Sequence, residues 1–316
     1  MAPRRGKGIP AQGRRRRLLA VRLLAAGAGA IAGMALLGLV WPEPDRAVKP
    51  EEPASAAALA DAPRRAITVL LIGSDADRRG AVRNDAAPPG PANSDALVLV
   101  RVDPKGPVQV LSLPVEAAVK LPGDRKPVAL GSLYRRGGPA LVADASAELL
   151  SLPKGEPERY LVLPRGALRQ LVDDLGRIEV SPERSMRYQD RAQKYRIALD
   201  GGLQQLNGAQ VEQLLRFRDK ERGEEGRRDR QQMTLESLLR QMGQQRQLAQ
   251  LPDLLRQLQD QVDTNLTQSE ALSLLAAALQ QSEPVRFRNL ALRPPLKPGE
   301  PLRQLDPASV DQAWPR

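Results

Sequence analysis

The sequence predicts an α/β domain behind one membrane-spanning helix, and three observations carry that prediction. Between residues 66 and 292, short β-rich apolar runs alternate with amphipathic stretches, as in layered α/β folds. Ahead of them runs an uncharged segment of 19 residues, Leu23 to Trp41, which as a helix spans roughly 29 Å, close to a bilayer's hydrocarbon thickness. The third is where the charge sits: Arg4, Arg5, Lys7, Arg14, Arg15, Arg16, Arg17 and Arg22 crowd residues 1–22 with no acid, leaving 40 bases against 37 acids elsewhere.

Taken in order, residues 1–22 form a basic tail kept cytoplasmic by the positive-inside rule, 23–41 the anchor, and Trp41 the far-side interface residue. The remainder is then extracytoplasmic, in a single-pass cell-membrane protein. A cleaved signal peptide ending near Ala58-Leu59-Ala60 is the competing reading, but signal-peptide apolar regions usually run about 7 to 15 residues. A DNA-binding basic arm is the third, and topology already accounts for its charges, so no nucleic acid is expected. Five prolines and an Ala-rich interval make 42–65 a linker. The domain follows over 66–292, and the Pro-rich stretch 293–316 reads as a tail.

Within the domain, Ala66 to Ile72 is a continuous apolar run closed by Gly73, expected of a strand buried on both faces. Asp95 to Val102 and Val108 to Leu113 read as two strands of a hairpin, because Asp103-Pro104-Lys105-Gly106-Pro107 cannot continue a ladder. Helices are expected at Pro139 to Leu150 and Gly166 to Leu175, with a strand at Tyr160 to Leu163 between them. Asn207 with Gln210 and Thr267 with Glu270 have capping-box spacing, the second opening a helix over Gln268 to Gln280. Val285 to Leu290 is a candidate returning strand.

The chain has no Cys and no His. That excludes disulfides, thiolate nucleophiles, imidazole bases and His-ligated metals, and leaves carboxylates, Arg, Lys, hydroxyls and a hard cation. Two clusters use that toolkit. Asp75, where the first strand ends, and Asp95, where the second begins, lie on strands about 4.8 Å apart if paired; they could share a cation such as Mg²⁺, or serve only as turn residues. In the second, Arg227, Arg230, Gln231 and Thr234 fall at i, i+3, i+4 and i+7, one helix face, while Leu235, Leu238, Leu239 and Met242 form a face for packing. A guanidinium face suits phosphate or pyrophosphate.

These pieces resemble the LytR-CpsA-Psr family of envelope proteins over roughly residues 67–279. The resemblance lies in their order: Leu70-Leu71-Ile72-Gly73-Ser74-Asp75; Ser94-Asp95 with Val98 to Pro104; Leu111-Ser112-Leu113-Pro114; and Tyr134 with Gly137-Gly138-Pro139. Further on come Leu171 to Gly176 with Ile178-Glu179-Val180; Met186 to Asp190; Leu206-Asn207-Gly208; Arg216-Phe217-Arg218; and Arg227 through Gln232. It implies an αβα-layered domain with a central mixed sheet that transfers a glycopolymer from an undecaprenyl-pyrophosphate carrier to a cell-wall acceptor, peptidoglycan or another envelope glycan, with Mg²⁺ or Mn²⁺. Asp75 and Asp95 would hold the metal, with Asp75 and Arg218 catalytic. Arg78, Arg216, Arg218, Arg227, Arg230 and Gln231 would grip the pyrophosphate, and aliphatic side chains between sheet and helices would take the lipid.

The chain departs from that pattern at named positions. Val115-Glu116 stand where Arg-Asp is usual, Asn93 where an Arg is common, and Ala129 to Ser132 lack the expected Lys and Asn. Arg78 comes three residues after Asp75 rather than two, and Arg78, Arg79 and Arg83 are nearby candidates to replace a lost guanidinium. A homologue that binds polyprenyl pyrophosphate in a regulatory role, without transfer, is the alternative; turnover separates the two.

Overall fold

The computed structural model describes residues 55–81, 91–191, 195–295, 297 and 300–314. The expected basic tail, the anchor at 23–41 and the first part of the linker lie outside the described residues. Among the described residues no helix is long and apolar enough to cross a membrane.

A six-stranded mixed sheet forms the centre. Its strands are β1 (Ile67–Ser74), β2 (Ser94–Val102), β3 (Gln109–Leu113), β4 (Arg159–Pro164), β5 (Asp263–Thr264) and β6 (Arg286–Asn289), in the order β5-β4-β1-β2-β3-β6. β1 is paired on both edges, antiparallel to β2 and parallel to β4, and its alternate side chains are buried on opposite faces, Leu70 and Ile72 on one and Val69 on the other, which is why its sequence is apolar without alternation. The 103–107 turn joins β2 to β3 as an antiparallel hairpin. β6, the returning strand, pairs parallel with β3.

Helices cover both faces: α1 (Tyr134–Leu150), α2 (Arg165–Asp174), α3 (Gly208–Arg216), α4 (Gly223–Met242), α5 (Leu251–Leu258), α6 (Gln268–Gln280) and α7 (Pro307–Ala313). Leu70, Ile72, Leu97, Leu99 and Leu111 pack with Val142 and Ala145 of α1 on one side. On the other, Val69 and Val102 meet Leu274 and Ala277 of α6, and a second core joins α2, α3, α4 and α5. The body of α1 starts at Pro139, as its sequence suggests, and a short helical turn precedes it across Gly137 and Gly138, whose backbone is non-helical, Gly138 at φ +64°. That break sets the turn bearing Tyr134 and Arg135 apart from the helix body. Both expected capping boxes are formed, at Asn207 and Thr267.

Two flanking stretches are docked rather than extended. Asp61 accepts from Ser273 Oγ at 2.6 Å, and Ala56 and Leu59 pack on the second core, so the end of the linker lies on α6. The C-terminal stretch expected as a tail returns over the sheet: Ala118 N–H donates to Arg303 O at 2.8 Å, and α7 brings Ala313 and Trp314 into the core beside α1. The buried Trp314 ring supplies apolar area that offsets part of the cost of ordering a Pro-rich chain.

Candidate functional site

The site lies at the sheet edge where β1, β3, β4 and β6 end and β2 begins, the edge at which open α/β sheets present their ligand crevice. There the register moves by one: Gly73 faces Ala96 but Ser74 faces Ser94, leaving Asp95 as an extra residue in a bulge. Bulges re-aim side chains, and this one turns Asp95 toward α4. Arg227 Nη1 lies 3.3 Å from its carboxylate, Arg218 Nη2 at 4.0 Å, and Gln231 Nε2 donates to the Asp95 carbonyl at 3.3 Å. Asp75, buried just past β1, accepts from the Asn93 amide at 2.8 Å and donates its own amide to Asn93 O at 3.1 Å.

The expected arginines divide. Arg227 is buried and also meets Glu224 at 2.7 Å, while Arg218 is 55% exposed and pairs with Glu224 at 2.9 Å. Arg230, though one turn from Arg227, points away from Asp95: it donates to the carbonyls of Leu214 and Phe217 and lies over the Phe217 ring, tying α4 to the end of α3. Arg216 stacks on Tyr195 at 4.1 Å and lies 3.4 Å from the buried Glu212, which also binds Arg165 and Arg169. Arg78 is exposed in the turn after Asp75, whose neighbour Asp77 is held by Arg165 at 2.5 Å. The structure thus gathers Asp95, Arg218, Arg227 and Gln231, places Asp75 next to them through Asn93, and takes Arg216 and Arg230 into supporting contacts.

Two further guanidiniums join the site. Arg228 pairs with Glu116 at 2.9 Å, and Arg135 Nε donates to Asn93 Oδ1 at 2.7 Å. Arg228 was legible, since it precedes Gln231 by three residues and Leu235 by seven on the same side of the helix; Arg135 has no local signal. Both line a polar cavity of about 940 Å³ with Asp95, Arg218 and Arg303. Its wall at Gly131 fits closely against β2, where a Cβ would come within 2.7 Å of Ser94 O. Tyr134 stands beside Asp75 with its phenol pKa raised, chiefly by burial and then by the charge of Asp263, so it stays protonated.

A second, apolar cavity of about 290 Å³ lies between the sheet and the helices, lined by Leu71, Val100 and Leu163 on one side and Leu235, Leu239 and Met242 on the other. The two faces read from the α4 sequence therefore meet in one stripe. From Arg227 through Gln231 to Leu235, Leu239 and Met242 it runs about 22 Å along the helix, polar at one end and apolar at the other.

The model of the LytR_cpsA_psr family matches residues 43–299. The chain belongs to that family. Its LytR_cpsA_psr relatives include the polyisoprenyl-teichoic acid–peptidoglycan teichoic acid transferase TagV of Bacillus subtilis (strain 168), 27% identical over 186 residues, 57% of this chain and 47% of TagV. The regulatory protein MsrR of Staphylococcus aureus (strain COL) is 25% identical over 206 residues, 64% of this chain and 57% of MsrR. The matches thus span about half of each relative's length. In fold, the chain resembles the crystal structure of B. subtilis TagV with a TM-score of 0.64 at 20% identity, covering 79% of this chain and 95% of that one. The structure of TagT bound to LI-WTA gives 0.59 at 20% identity, covering 84% and 90%. Of this chain's departures from the family pattern, Asn93 receives Arg135, and Val115 and Glu116 line the polar cavity.

Proposed function

We propose that this chain transfers a glycopolymer from a polyprenyl-pyrophosphate carrier to a hydroxyl of a cell-wall acceptor such as peptidoglycan. One observation carries the reading: the α4 stripe joins a guanidinium and carboxylate cluster to an apolar cavity, the polarity of a pyrophosphate joined to an isoprenoid chain. TagV and TagU are named as polyisoprenyl-teichoic acid–peptidoglycan teichoic acid transferases, which supports the reaction class.

In this reading the acceptor hydroxyl attacks the phosphorus that carries the glycan, the bond from that phosphorus to the bridging oxygen breaks, and polyprenyl phosphate leaves. Asp75, fixed by the Asn93 amide, takes the hydroxyl proton. Arg218 has the exposure to turn from Glu224 and Asp95 to a phosphate oxygen, while Arg227 and Gln231 hold the floor of the site. Asp75 and Asp95 would hold Mg²⁺, or Mn²⁺. Among the described residues no group of three acids gathers, and two carboxylates fit an ion that keeps water ligands and takes the rest from phosphate. When bound, the ion supplies positive charge against the phosphate oxygens. The run 23–41 would hold the domain on the extracytoplasmic side of the membrane, beside a lipid-linked substrate.

The test is release of carrier phosphate from a polyprenyl-pyrophosphate-linked glycan by the full chain in detergent, with and without Mg²⁺, alongside Asp75→Ala and Arg218→Ala. Metal-dependent release lost in both variants is expected. Binding without release by the unaltered chain would replace the transferase reading with that of a carrier-binding protein.

A further inference from the structure

The carboxylates around the polar cavity already neutralise most of its guanidiniums. Arg218 pairs with Glu224 at 2.9 Å, Arg222 with Asp229 at 2.5 Å and Arg228 with Glu116 at 2.9 Å. Arg303, on the C-terminal wall, is spent on the carbonyls of Leu292 and Arg293. Arg135 differs: its Nε donates to the neutral amide oxygen of Asn93 at 2.7 Å, and among the described residues no carboxylate lies within ion-pair distance. One bond fixes its direction and leaves its Nη donors for another oxygen.

Asn93 also ties Arg135 to the reacting end of the site. Its backbone amide holds Asp75 Oδ1 at 2.8 Å, so one residue, two positions before Asp95, holds both the guanidinium and the Asp75 carboxylate. Arg135 sits on the first turn of α1, which the Gly137-Gly138 break sets off from the helix body. The neighbouring Arg136 is turned to Asp124 at 2.6 Å, and the cavity lining includes Arg135 and not Arg136.

We propose that Arg135 is a substrate-binding residue that grips a phosphate oxygen of the pyrophosphate, with Asn93 as its positioning residue; this rests on the pyrophosphate reading above. The test is calorimetric titration of the full chain in detergent with farnesyl pyrophosphate as probe, comparing Arg135→Ala, Arg136→Ala and Arg218→Ala. A charge-assisted contact predicts roughly a tenfold or greater loss of affinity in Arg135→Ala and an unchanged Arg136→Ala. The double variant N93R/R135A, which moves the guanidinium onto the residue that now holds it, recovers most of the affinity. Wild-type affinity in Arg135→Ala with a loss in Arg218→Ala overturns the proposal and leaves the pyrophosphate reading standing. Equal losses in Arg135→Ala and Arg136→Ala overturn it as well, since they would reflect overall charge rather than contact. No loss in either Arg135→Ala or Arg218→Ala removes the pyrophosphate from this site altogether.

Discussion

At the scale of single residues, Arg218 and Arg227 contact the same aspartate from opposite environments, 55% and 4% exposed at the side chain. Arg218→Ala is expected to leave stability within about 0.5 kcal/mol of the parent in urea denaturation, as surface substitutions usually do, while it abolishes carrier-phosphate release. Arg227→Ala leaves Glu224 and Asp95 without their shared buried cation and is expected to cost about 2 kcal/mol by the same measurement. That is below the roughly 3–5 kcal/mol of a fully buried pair, because Asp95 keeps contact with water. Periodicity placed Arg227, Arg230, Gln231 and Thr234 on one face, and of these Arg227 and Gln231 meet Asp95. Arg230 differs because the carbonyls left open at the end of α3 lie within its reach and draw its guanidinium aside.

Elements show the sequence at its most legible. Thr267 and Glu270 close the capping box of α6, and Arg159 joins Glu270 from β4. Thr267→Ala is expected to cost about 1 kcal/mol in a denaturant titration. The Glu270 carboxyl is held down to about 2, chiefly by its hydrogen bond from Arg159 and then by the Thr267 amide. Its folded pKa being the lower one, its contribution is complete above the ordinary value of 4.5 and is lost as pH falls toward 2. The carboxylate is more than a third exposed, so solvent keeps the effect small. A Glu270→Gln variant is expected to lose the low-pH part of the stability slope, and a carboxyl titrating near 4.5 by NMR would contradict the assignment. Less legible was the C-terminal stretch, whose prolines suggest a tail while α7 carries Trp314 into the core. Trp314→Ala is expected to cost roughly 3–5 kcal/mol, measured by denaturation of the full chain.

In the whole molecule, two helical layers leave a polar crevice at the strand ends and an apolar cavity on one sheet face, connected by α4. Ala271, on α6, lines the apolar cavity; Ala271→Phe is expected to abolish the gain in affinity with isoprenoid chain length while inorganic pyrophosphate binds as before. Affinity that still rises with chain length in that variant would place the lipid elsewhere. The sequence by itself determined the buried central strand, the β2–β3 hairpin, the two capping boxes and the ordered motifs of the family, because each depends on neighbours a few residues apart, where backbone preference and periodicity act. Only the tertiary structure decided that Asp95 stands in a bulge facing α4, that Arg135 enters the crevice while Arg136 does not, and that both faces of α4 form one stripe. Those outcomes depend on strand register and on contacts between residues more than a hundred positions apart, such as Gln231 with Asp95, which local pattern cannot carry.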